Sequence, residues 1–125
     1  MTAIDGELLV RIDGGIAHVT LNRPQARNAL TFGMYEELAK LCALAGTADD
    51  ADHIKAIVIA GAGDKAFAAG TDIGQFTAFE STEDGLRYEA KVEAVISQIE
   101  SCHVPVIAAL HGAVTGGGLV IAAAA

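Results

Sequence analysis

Residues 54–72, IKAIVIAGAGDKAFAAGTD, decide how the rest of the chain is read. Ile54–Ala60 is a nearly continuous β-branched run, which predicts a strand covered on both faces. It empties into a loop over Gly61–Gly70 with three glycines. A second unit of the same kind closes the chain. Val106–Leu110, a predicted buried strand after the helix-stopping Pro105, leads into HGAVTGGGLVIAAAA at His111–Ala125. There Gly116–Gly118 open an apolar run suited to a helix. Buried strands that each end in a glycine-rich loop, with helical segments between them, predict an α/β fold.

The flanking segments supply the remaining elements. Glu7–Ile12 and Ala17–Asn22 are predicted strands around the turn Asp13-Gly14-Gly15, because Ala17, Val19 and Leu21 alternate with His18, Thr20 and Asn22. Arg23-Pro24 ends that pairing. From Thr31 to Leu44 the residues Met34, Leu38, Leu41 and Ala45 fall at helical spacing, with Thr31 as N-cap. The acidic segment Asp49–Asp52 is expected to be a solvated turn. Residues 84–102 form a second amphipathic pattern with Val92, Val95, Ile96 and Ile99 as its stripe. No repeat or linker divides the 125 residues, so one domain is expected.

Composition narrows the function classes. Sixteen acidic residues face eight basic ones, a net charge of −8 with no lysine or arginine cluster, which argues against a nucleic-acid or anionic-membrane surface. The closing apolar run is too short to span a bilayer, and the first thirty residues lack the basic head and apolar core of a signal peptide. Cys42 and Cys102 have no partners at metal-ligand spacing and are expected to be thiols in a reducing cytoplasm.

The two glycine loops carry the chemistry. Gly61-Ala-Gly63-Asp-Lys-Ala66 matches a loose G-x-G-x-x-[GA] dinucleotide fingerprint, and Glu80 lies near the ribose-binding distance. That motif requires a helix to start at the loop, and Phe67-Ala-Ala-Gly70 interrupts one, so a dinucleotide-binding oxidoreductase is the weaker alternative. No Gly-Lys-Ser/Thr follows to make a P-loop. Amides free of secondary-structure partners donate to a developing oxyanion, and a helix beginning at Gly116–Gly118 aims its first N–H groups and its dipole at one point. The other reading is that the glycines only permit tight helix–strand packing.

LNRPQARNAL (Leu21–Leu30), DKAFAAGTDI (Asp64–Ile73) and PVIAALHGAVTGGG (Pro105–Gly118) together resemble the crotonase, or enoyl-CoA hydratase/isomerase, superfamily in order and spacing. The resemblance implies a crotonase-like spiral of ββα units (the ClpP/crotonase fold) that binds acyl-CoA thioesters and stabilises an enolate. It implies homotrimers, often paired into hexamers, and no cofactor beyond the coenzyme A of the substrate. The family's two oxyanion amides fall on Thr71, where relatives carry a small residue, and on Gly117. Ala69, Asp72 and Ile73 match the segment lining the coenzyme A path. Ala26 and Arg27 match the loop over the nucleotide, with Arg27 near a phosphate; Lys65 is expected to be a solvated charge. Hydratases of the family carry a glutamate three residues after the middle glycine, where this chain has Val120. Valine neither gives a proton nor holds a water, which favours isomerase-type or other non-hydratase chemistry, or a non-catalytic coenzyme A-binding relative. The family's second glutamate would lie past Ala125, so 1–125 is expected to be the N-terminal part of a single domain, inactive alone. No metal site is expected. His18, His53 and His103 are expected at the surface, and His111 in a structural bond of the glycine turn. Glu80, Glu83 and Asp84 are expected to form an acidic rim.

Overall fold

The computed structural model describes residues 6–71 and 82–125. Strands β1 (Leu8–Asp13) and β2 (Ile16–Leu21) form an antiparallel hairpin through Gly14-Gly15. A short 3-10 turn, Pro24–Ala26, and helix α1 (Phe32–Leu44) then carry the chain across to β3 (Ala56–Gly61), which lies parallel to β2. Next come β4 (Ala66–Ala69), α2 (Thr82–Glu100), β5 (Val106–Ala109), β6 (Ala113–Thr115) and α3 (Gly117–Ala124). The main sheet has the order β1-β2-β3-β5, and β4 pairs with β6 in a separate parallel ribbon.

The core follows from the alternation. Ala17, Val19 and Leu21 are buried on one face of β2, joined by Ile57 and Ile59 of β3. Met34, Leu38 and Leu41 of α1 belong to the same cluster, and Val95 and Ile99 extend it from α2. Helix α1 starts where expected. Thr31 Oγ1 accepts from Met34 N at 3.2 Å, and the Met34 sulfur accepts from Thr31 N at 3.4 Å. A cap of this kind contributes about 1 kcal/mol.

Four expectations are corrected. Strand β3 is buried on one face and only half-covered on the other, at Val58 and Ala60. Strand β5 is not buried: it pairs with β3 at the edge of the sheet, and Ile107 is 51% exposed. The supposed loop Gly61–Gly70 contains β4, and the segment after His111 contains β6. Asp49–Asp52 is not uniformly solvated. Asp50 is buried and its carboxylate accepts from Gly46 N at 3.0 Å, Ile54 N at 2.8 Å and Asp52 N at 3.1 Å. These amides, the Gly46 one foremost, hold its carboxyl below the usual carboxylate range against the opposing effect of burial.

Candidate active site

The site grows from the ends of the β4–β6 ribbon. Ala69 pairs with Thr115, so continuing the parallel register sets Gly70 beside Gly116 and Thr71 beside Gly117. The packing agrees. A Cβ on Gly116 would stand 3.0 Å from Gly70 Cα, and one on Gly117 would stand 2.9 Å from Thr71 Oγ1. Segments more than forty positions apart in sequence therefore meet.

Both amides in question lie outside the regular hydrogen bonding. Gly70 O accepts from Leu30 N at 2.9 Å in the isolated bridge between Leu30 and Thr71. A trans peptide is planar, with its C=O and N–H pointing oppositely, so this bond directs the Thr71 N–H away from Leu30. In α3 the first helical turn is closed by Val120 N donating to Gly116 O at 3.1 Å. The amide of Gly117 precedes that bond and has no intrahelical acceptor. Gly116 takes φ 53°, which lets the chain turn from β6 into α3 at once.

A hydroxyl cluster surrounds this junction. Tyr35 of α1 and Thr71 Oγ1 are hydrogen-bonded at 2.7 Å, and Tyr88 of α2 donates to the same Oγ1 at 3.1 Å. Tyr35 is 1% exposed, and burial pushes its phenol pKa up. A Cβ on Gly117 would overlap the Tyr35 hydroxyl, so the glycine is required by the tyrosine's position. Tyr88 also stacks at a tilt on Phe32, centroids 5.4 Å apart.

The other wall is made by the turn after β2. Arg27 and Asn28 both take left-handed backbone conformations, φ 50° and 58°. Asn28 is wholly buried. Its Oδ1 accepts from Arg23 N at 2.9 Å, and its Nδ2 donates to Ala62 O at 2.9 Å and Ala66 O at 2.8 Å. One side chain thus joins the turn to the β3–β4 loop. Ala69 N adds a bond to Arg27 O at 3.0 Å. Between turn and loop lies a cavity of about 180 Å³ whose lining includes Arg27, Asn28, Asp64 and Lys65. Two cations and one carboxylate make it a site with a local positive excess on an acidic chain.

Of the sequence-predicted residues, the structure brings together Thr71 and Gly117; Arg27 lines the cavity, Ala69 is tied to Arg27 by a backbone bond, and Ala26 ends the 3-10 turn just before it. Lys65 is exposed, as expected, yet it lines the cavity beside Arg27. Asp72, Ile73 and Glu80 lie outside the described residues. Val120 stands on the first turn of α3, 36% exposed. His111 Nε2 lies 3.0 Å from Gly63 O, tying the second glycine segment to the first loop. His53 and His103 are exposed; His18 is half-buried. Glu83 is exposed, and Asp84 pairs with Arg87 at 3.0 Å. Among the described residues no group of His, Cys, Asp or Glu is arranged to hold a metal, and no helix is long and apolar enough to cross a membrane. The dinucleotide alternative is overturned, because β3 and its loop lead into strand β4 and not into a helix N-terminus. Asn28, Tyr35 and Tyr88 were not singled out from sequence. The only signal for Asn28 was its place in the RNAL block, and none marked the tyrosines.

Strand order, ribbon and glycine junction together define a crotonase-type fold, and the comparisons agree. The family model for enoyl-CoA hydratase/isomerase matches residues 11–125, and the chain belongs to that family. It is 33% identical over 115 residues to a short-chain-enoyl-CoA hydratase of Clostridium acetobutylicum, covering 92% of this chain and 42% of the relative. It is 33% identical over 118 residues to the peroxisomal Delta(3,5)-Delta(2,4)-dienoyl-CoA isomerase of Arabidopsis thaliana, covering 86% and 41%. The crystal structure of an enoyl-CoA hydratase from Mycobacterium smegmatis superposes with a TM-score of 0.82 at 36% identity, covering 94% of this chain and 45% of that one. The chain thus spans less than half the length of these relatives.

Proposed function

We propose that the complete protein acts on an acyl-CoA thioester and stabilises an enolate, with the amides of Thr71 and Gly117 donating to the thioester oxygen. The observation that carries this reading is that Thr71 and Gly117, two residues past the paired ends of β4 and β6, pack together with neither amide in the regular bonding. Charge building on the oxygen meets fixed dipoles that need no reorganisation. Arg27 and Lys65 supply local positive charge for the phosphates of coenzyme A, and Ala26 and Ala69 line its path. No cofactor beyond the substrate's own coenzyme A takes part. The complete protein assembles as a homotrimer or a dimer of trimers in the cytoplasm.

Val120 directs the choice of reaction. A valine on the first turn of α3 cannot hold a water against a double bond, so double-bond migration or other non-hydratase chemistry is favoured. Relatives named as a hydratase and as a dienoyl isomerase lie at the same 33% identity, which fits either outcome for the family at large. The test is on the complete polypeptide containing residues 1–125. An acyl-CoA should raise its melting temperature while NAD leaves it unchanged. Migration of an enoyl-CoA double bond should outpace hydration of crotonyl-CoA. Fast hydration would overturn the isomerase preference. Stabilisation by acyl-CoA with no turnover would favour a non-catalytic binding protein.

A further inference from the structure

Three separate elements meet at one oxygen atom. Tyr35 arrives from α1 and Tyr88 from α2, and both bond Thr71 Oγ1, at 2.7 and 3.1 Å. Gly70, immediately before Thr71, has φ 101°, and among the described residues nothing stands within 4 Å of where its side chain would be. Packing at Gly70 therefore does little to stop the peptide plane that carries the Thr71 N–H from swivelling. Among the described residues two attachments oppose that motion: the Leu30 N bond to Gly70 O on one side, and the hydroxyls on Thr71 Oγ1 on the other. The second attachment is hard to break. The phenol of Tyr35 is 1% exposed, and a buried hydroxyl that loses its partner is costly. It also depends on Gly117, whose missing side chain leaves the space that the Tyr35 hydroxyl occupies.

Resting on the reading of Thr71 and Gly117 as paired donors, we infer that Tyr35 and Tyr88 are positioning residues that clamp the Thr71 side chain and so fix the direction of its amide. A donor contributes fully only within a narrow range of angle and distance. Threonine at position 71 is then no incidental replacement for a smaller residue. Its hydroxyl is the handle by which two helices hold the amide, where a smaller side chain would leave the loop to hold itself.

The test reads the bond polarisation directly. A non-reacting acyl-CoA labelled with 13C at the thioester carbonyl is bound to the complete protein and its carbonyl stretch recorded by infrared difference spectroscopy. In the wild type the stretch should move to lower wavenumber than in solution. Tyr35→Phe and Thr71→Val should each lose a large part of that shift. Each should lower kcat by about tenfold, less than the roughly 10²–10³ for removing a donor outright, with KM changed by less than about twofold. Thr71→Ser should recover the shift that Thr71→Val loses, and the double variant should be no worse than either single one, as expected for groups acting as a unit. If Tyr35→Phe fails to fold, Thr71→Val reads the same bond from the other side while preserving side-chain volume. Wild-type carbonyl shifts in both single variants would overturn the clamp and leave the paired donors standing. No shift in the wild type itself would overturn the paired donors, and the clamp with them.

Discussion

Asn28 gives the sharpest test of how the turn and the β3–β4 loop are joined. It is wholly buried, adopts φ 58°, and holds three backbone groups at 2.8–2.9 Å. Asn28→Ala removes all three bonds. Each buried polar group that loses its partner costs about 1–3 kcal/mol. Two of these bonds are only part-buried, so the low end applies to them and about 2 kcal/mol to the bond with Ala66 O. Left-handed backbone adds roughly another 1 kcal/mol for alanine, which glycine avoids. The expected losses are then about 5 kcal/mol for Asn28→Ala and about 4 kcal/mol for Asn28→Gly. Asn28→Asp keeps the acceptor for Arg23 N but turns a second oxygen toward two carbonyls, so it should fare worse than glycine. In urea unfolding of the complete protein followed by circular dichroism, a slope of about 2 kcal/mol/M converts the alanine loss to a midpoint lower by about 2.5 M. A midpoint within about 0.5 M of wild type for both alanine and glycine, at unchanged slope, would refute the reasoning.

Three further outcomes are expected. Gly117→Ala drives a methyl into the Tyr35 hydroxyl, so it should cost about 1–3 kcal/mol of stability from overpacking and lower turnover by about 10²-fold; unchanged kinetics would contradict the site. The depressed Asp50 carboxyl makes a stabilising contribution that is present above the unfolded value of about 4 and is lost as pH falls through the lower folded value. Thermal melts between pH 7 and 2 should therefore show a steeper acid loss for wild type than for Asp50→Asn, which starts less stable at neutral pH. Burial, with Cys102 adding to it, pushes the Cys42 thiol up to about 12. Iodoacetamide at pH 8 should spare Cys42 in the native protein and label it on unfolding, as mass spectrometry of the peptides will show.

Local signals carried much of the fold into the sequence. The period-2 pattern of Ala17, Val19 and Leu21 and the helical spacing of Met34, Leu38 and Leu41 place their elements within a residue or so, because one buried face imposes one period. Strands β4 and β6 were hidden, since Ala66–Ala69 and Ala113–Thr115 are short, rich in alanine and flanked by glycine. Their pairing is settled by partners far off in the chain. The burial expected for β5 failed for a related reason: VIAA shows what can be covered, while its position at the sheet edge decides what is. Thr71 and Gly117 were reachable through the motifs around them. The Tyr35–Thr71–Tyr88 contact was not, because α1 and α2 bring those hydroxyls together only after packing.

Two N–H groups just past the ends of hydrogen-bonded neighbouring strands take their placement from the ribbon, whose strands lie roughly 4.8 Å apart. That placement changes only in whole-residue steps of register and resists fine adjustment by mutation. Diversification on such a scaffold must therefore proceed through what surrounds a gauge of constant width, with new side chains, rims and partners renewing the chemistry while the gauge stays as it was.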